Sequence, residues 1–230
     1  MTLNNTANLT LLFSTFLVLL THCSPRKSSE APLQQTVAPP SYYEDCSASH
    51  NFYYDLASDS SHLSDEGAIP PQHQAALEKA KHLISQRGID IRSKGPGDGA
   101  WYGFTTTLPT VILTGEGFED YPTGVQASIL WHELVHVRQY ESLGVPGFFK
   151  LYVVPEGRWA LEVQAYRESY IAQMQLGVPK SYLLGHTHKQ AEDLYSGYYL
   201  QGMPQTCAVS KATELWEAAI LSFPTSDSNK

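Results

Sequence analysis

The strongest periodic signal lies between residues 123 and 143, where Val125, Ile129, His132, His136, Tyr140 and Leu143 share one stripe of a helix. Gly144 follows, at a place where helices commonly stop. A second stripe, Trp159, Glu162, Tyr166 and Tyr170, predicts a helix over 156–176 that ends at Gly177 and Pro179. The hydrophobic residues 145–154 between them read as a connector. Upstream, a helical pattern runs from Pro70 and Pro71 to Arg87 and stops at Gly88. Ile89 and Ile91 then alternate with Asp90 and Arg92, which predicts a strand over 88–92. Residues 95–99 form a Gly/Pro-rich turn. From Trp101 to Thr114 the β-branched and aromatic residues predict one or two more strands, interrupted at Pro109. Two further helices are expected near 189–200 and 210–221, the last stopping before Pro224. A helix, a small sheet and then a run of helices is an α+β order.

The first third of the chain reads differently. No Lys, Arg, Asp or Glu occurs from Met1 to Ser24, and Leu9–Leu20 is apolar apart from Thr and Ser. That stretch is shorter than the roughly 20 residues of a membrane span and fits the roughly 7–15 of a signal-peptide core. Residues 1–23 are therefore expected to direct export, towards a periplasmic, secreted or membrane-anchored product. The competing reading is an uncleaved anchor with its N-terminus outside, because Arg26 and Lys27 follow the apolar run. Leu20-Thr21-His22-Cys23 resembles a bacterial lipoprotein cleavage box, with His22 where a small residue normally stands. The resemblance implies a lipid tether at Cys23. Residues 24–66 read as a Pro/Ser/Tyr-rich tail, part of which packs on the domain through its aromatic residues. Residues 67–225 are expected to form the domain. With the signal removed, Cys46 and Cys207 remain, an even count in an oxidising compartment that makes a disulfide between them one reading and two buried thiols the other.

Composition narrows the function classes. The chain has 230 residues and a net charge of −8, with charged residues at only 17%. One domain with a sizeable core fits this length, and an acidic balance argues against a non-specific nucleic-acid binder. A long coiled coil is excluded by 16 Gly and 14 Pro.

The chemistry concentrates in Trp131-His132-Glu133-Leu134-Val135-His136, an H-E-x-x-H sequence on the predicted long helix. Residues four apart share a helix face, so His132 and His136 can grip one metal ion with Glu133 beside them. Zinc suits nitrogen and oxygen ligands and makes a bound water acidic; Glu133 is placed to take its proton as general base. Two inward-facing imidazoles would be costly without partners, and a metal supplies one. A catalytic zinc needs a third protein ligand. Glu162 lies in an aromatic stripe of the next helix, where an unpartnered acid would also be costly. It is the preferred third ligand, against a carboxylate paired with Arg158. Tyr166, His186 and His188 are weaker candidates for stabilising a developing oxyanion. Val111–Thr114 is a candidate edge strand for an extended peptide, or ordinary core.

His132-Glu133-Leu134-Val135-His136-Val137-Arg138-Gln139-Tyr140, a connector of a couple of dozen residues and then Glu162-Val163-Gln164-Ala165-Tyr166-Arg167 resemble the short bacterial gluzincins, compact H-E-x-x-H zinc metallopeptidase domains also called minigluzincins. The resemblance covers roughly residues 70–175. It implies a zincin-like fold in which a small twisted sheet packs on the zinc helix and a following glutamate helix, with extra C-terminal helices here. It implies one zinc ion held by His132, His136 and Glu162, with Glu133 as general base. The larger gluzincins carry an acidic residue four positions beyond the glutamate ligand, where this chain has Tyr166. The leading expectation is an exported zinc-dependent peptidase acting on peptide or protein substrates. Its alternative is a non-catalytic exported binding or envelope protein with a zincin-like fold; a membrane-tethered factor working through its Tyr-rich tail is a third.

Overall fold

Among the described residues, seven α-helices and three short strands build the domain. The computed structural model describes residues 51–59, 67–95, 105–198, 200 and 203–224. The elements run α1 (Asn51–Ser58), α2 (His73–Gln86), β1 (Asp90–Ser93), β2 (Thr106–Leu108), β3 (Val111–Thr114), α3 (Thr123–Tyr152), α4 (Pro155–Gln175), α5 (Lys180–Leu184), α6 (Thr187–Gly197) and α7 (Gln205–Ser222). The architecture is α+β: a small mixed sheet against the long helices α3 and α4, followed by C-terminal helices. Among the described residues no helix is long and apolar enough to cross a membrane. Leu9–Leu20, Cys23 and Cys46 lie outside the described residues, while Cys207 is buried on α7.

The sheet order is β1-β3-β2, with β1 parallel and β2 antiparallel to β3. Val111–Thr114 is thus the central strand, which explains its unbroken apolar run: both faces are covered. Of the two readings of this segment, an edge strand or ordinary core, the pairing supports core. The edge beside the long helix is β2, centred on Thr107, which pairs with Ile112.

Helix α3 is longer than its periodicity implied. The chain breaks at Gly144 (φ 67°, ψ 159°), a left-handed conformation that glycine adopts without strain, and then resumes helical geometry as far as Tyr152. The expected connector at 145–154 is therefore mostly a short half-helix, which Phe148 pins by packing beneath Tyr140. Its return into α4 is tight, since a Cβ on Gly157 would sit 2.3 Å from the Leu151 carbonyl oxygen.

The two larger hydrophobic clusters among the described residues meet along α3 and α4. One joins α2, the sheet and α3 through Leu77, Ile84, Ile112, Leu130 and Leu134. The other joins α1, α4, α5, α6 and α7 through Ala57, Trp159, Val163, Leu194 and Trp216. Three indoles tie helices by donating to backbone carbonyls: Trp131 to Ala76 at 3.3 Å, Trp159 to Ala208 at 3.0 Å and Trp216 to Val163 at 2.9 Å. Because α4 contributes to both cores, it is buried on nearly every side. Polar residues on it, Glu162 among them, are forced inside, where they need partners.

Candidate metal centre

The inward stripe of α3 presents His132 and His136 one helical turn apart, and α4 crosses it so that Glu162 arrives from the opposite side. Nε2 of His132 and Nε2 of His136 are 3.2 Å apart. Glu162 Oε2 lies 3.5 Å from the first and 3.6 Å from the second. A triangle with these sides has a point about 2 Å from every corner, which is the zinc–nitrogen and zinc–oxygen bond length. The edge of a tetrahedron with such bonds is about 3.3 Å, so the three atoms have the spacing of one face of a tetrahedral metal site. Among the described residues these three side chains form the group able to hold a metal ion, and all are buried.

Hydrogen bonding decides which atoms are available. Gln139 donates its Nε2 to the Leu161 carbonyl at 3.0 Å and to Gln164 Oε1 at 2.7 Å. Its Oε1 is therefore the acceptor facing His136 Nδ1 at 2.8 Å, which assigns the His136 proton to Nδ1 and leaves a lone pair on Nε2. His132 Nδ1 lies 3.3 Å from Ser169 Oγ, which leaves its Nε2 facing the same point. Glu162 Oε2 is buried with no hydrogen-bond partner. With both imidazoles neutral, two lone pairs and a carboxylate oxygen around one point repel each other; a metal ion relieves this, and in its absence a proton on His136 does. The donor set and the orphaned oxygen both fit zinc.

The electrostatics agree. Burial alone would lower the His136 imidazole, but the Glu162 carboxylate and, further off, Glu133 hold it up at about 9. Burial alone would raise Glu162, yet His136 and His132 pull its carboxyl down to about 2. Arg158, the competing partner for Glu162, is engaged elsewhere: it donates to the carbonyls of Tyr152 at 2.8 Å and Tyr198 at 2.6 Å.

Glu133 points towards the sheet. Its Oε2 accepts a 2.7 Å hydrogen bond from the Thr107 hydroxyl on β2. The carbonyl of Thr107 accepts in turn from Tyr140 at 3.4 Å, so the edge strand is tied to α3 at its centre. Tyr166 lies edge-on to the His132 ring, centroids 4.7 Å apart. Burial first, and the Glu162 carboxylate second, push the phenols of Tyr152, Tyr166 and Tyr198 up, so all three stay protonated donors near the site. His186 stacks on Tyr182, and its Nδ1 meets the Tyr182 carbonyl at 2.6 Å. His188 is exposed beside Glu192. Neither belongs to the metal-capable group.

Sequence reasoning missed Thr107, Gln139, Gln164, Ser169, Tyr152 and Tyr198. Gln139 alone had a signal, since position i+3 from His136 on a helix is a neighbour. The support of the two histidines, which the larger gluzincins' acidic residue left in question at Tyr166, is supplied by Gln139 and Ser169.

The fold and site define an α+β domain with a buried, zincin-like His132/His136/Glu162 triad. No protein-family model matches the chain, no curated protein matches it, and no solved structure matches it. The class therefore rests on geometry: a metal-capable H-E-x-x-H plus glutamate site of the kind that serves hydrolases.

Proposed function

We propose that this protein is an exported zinc-dependent peptidase of gluzincin type. The observation that carries this reading is the convergence of His132 Nε2, His136 Nε2 and the unpartnered Glu162 Oε2 on one point, with Glu133 adjacent in sequence and held from the edge strand. Zinc in such a site lowers the pKa of a bound water to about 7 and polarises a carbonyl. Glu133 takes a proton from the water that attacks the scissile carbonyl and delivers it to the leaving amine nitrogen. The Thr107 hydroxyl holds Oε2 of that carboxylate, which reserves Oε1 for the transfer. The outer edge of β2 aligns an extended peptide by strand addition. Val145, Phe149 and Val153, exposed along the half-helix after Gly144, offer apolar contact to substrate side chains. Export rests on the apolar stretch Leu9–Leu20 ahead of the domain, and Cys23 is the point for a lipid tether.

One observation favours the alternative, a non-catalytic exported binding or envelope protein. The triad and Glu133 are only 3–8% exposed, which is little room for a peptide. Stripping the protein with a chelator, restoring zinc and following a peptide library by mass spectrometry separates the two. Cleavage lost on stripping and regained with one zinc per chain supports the peptidase. Zinc uptake without cleavage, or no zinc uptake at all, favours the alternative. Thr107→Val is expected to lower kcat about tenfold, the size of one lost hydrogen bond to a charged group. Zinc content and KM stay unchanged, and Thr107→Ser restores most of the rate. Steady-state kinetics on a fluorogenic peptide check this.

A further inference from the structure

The metal ligand His136 is the inner end of a buried hydrogen-bond chain whose outer end is the helix α1, in the segment ahead of residue 67. From His136 Nδ1 the chain passes to Gln139 Oε1 at 2.8 Å, and from Gln139 Nε2 to Gln164 Oε1 at 2.7 Å. It ends where Gln164 Nε2 donates to the Asp59 carbonyl at 2.8 Å, just past the end of α1. Gln139 is 3% exposed and Gln164 1%. Beside it, Arg167 on α4 donates to the Ser58 carbonyl at 2.9 Å.

Each contact has a physical reason. The last carbonyls of a helix have no intrahelical partner and carry the negative end of its dipole. Gln164 and the cationic Arg167 satisfy two of them, so α4 acts as the C-terminal cap of α1. The apolar side of α1 adds Ala57, fully buried, with Leu56 and Tyr53 packed on the C-terminal core. An amide has one acceptor and one donor end. Once Asp59 takes the donor end of Gln164, its Oε1 is presented to Gln139, which in turn presents its own Oε1 to His136. The amide orientations, the His136 tautomer and the seating of α1 therefore select one another.

We infer that α1 is a positioning element for the metal centre: its docking fixes the Gln164–Gln139–His136 chain and thereby raises the affinity for zinc. The reciprocal follows by linkage, because whatever factor docking contributes to zinc affinity, zinc contributes to docking. Metal occupancy is then tuned through the seating of α1. This goes beyond the peptidase reading and does not need the protein to cleave anything.

The test uses the full chain and zinc ion, with a chromophoric chelator as competitor. Gln164→Leu breaks the chain at its middle and is expected to weaken zinc binding about tenfold, the low end of the loss on removing the direct partner of a metal histidine, since Gln139 itself remains. Ala57→Asp places a charge in the α1 contact and is expected to weaken zinc in the same direction without touching the site. Combining the two weakens binding no further than the stronger single change, since both act on one path. In the unaltered protein, zinc slows hydrogen exchange of the α1 amides about tenfold or more, a readout that requires no variant to fold. Zinc affinity within about twofold of the original in Gln164→Leu, or α1 exchange unmoved by zinc, overturns the inference while leaving the metal centre standing. An unaltered protein that takes up no zinc overturns the metal centre and this inference together.

Discussion

Glu133→Gln is expected to cut peptide cleavage by about 10²–10⁴-fold while the protein keeps its zinc. The substitution preserves shape, and an amide oxygen can still accept the Thr107 hydroxyl, so β2 stays tied to α3. None of the three metal-capable atoms belongs to residue 133. What disappears is the basic oxygen that receives a proton as water attacks, and no described neighbour can replace it. The phenol of Tyr140, held up at about 12 by burial and by Glu133 itself, is a donor and no base. The fall is therefore expected in kcat, with KM little changed. Zinc content by mass spectrometry and rates on a fluorogenic peptide check it together. Activity close to the original would remove Glu133 from the mechanism, and loss of zinc would make the result structural.

Glu162→Gln is expected to weaken zinc at least about 100-fold, above the 10–100-fold range for an outer partner, because it removes a ligand charge. The effect also shows in melting. At a free zinc concentration about 1,000 times Kd, bound metal adds about 4 kcal/mol, or about 8–16 °C for a domain of this size. The substituted protein gains almost none of that. The metal-free forms differ in their pH profiles. The His136 pKa, raised from 6.5 to about 9, contributes stability that is fully present below 6.5 and lost as pH rises through 9. The Glu162 pKa, lowered from 4.5 to about 2, contributes stability that is present above 4.5 and lost as pH falls towards 2. The metal-free original is therefore expected to show a plateau between about pH 4.5 and 6.5 from this pair, and the glutamine variant to lose both slopes. Zinc must displace the His136 proton, so apparent affinity rises with pH up to about 9. Melting with and without zinc across pH reads all of these.

Much of the domain was legible without coordinates. The helix over 123–143, the break at Gly144 and the helix bearing Glu162 follow from apolar spacing and stop residues. The pairing of His132, His136 and Glu162 followed from a cost argument, that inward polar groups need a partner, and the triangle of nitrogen and oxygen atoms answers it. The half-helix at 145–152 was not legible, because its apolar residues face both Tyr140 and solvent and so show no single stripe. The sheet edge stayed open between two readings for a similar reason: an apolar run such as Val111–Thr114 shows that a strand is buried, and strand order depends on pairing across turns.

The sequence alone determined the helical face that carries two imidazoles, the next helix's face that carries a carboxylate, and the α+β class, because side-chain periodicity and chain punctuation are local properties. Only the tertiary structure decided which oxygen of which residue holds Glu133, which amide sets the tautomer of His136, and that α1 caps itself on the helix of Glu162. Those contacts join residues far apart in the chain, such as Thr107 to Glu133 and Asp59 to Gln164. Their partners are common polar side chains with no pattern of their own, chosen by the angle at which two buried helices and one strand cross.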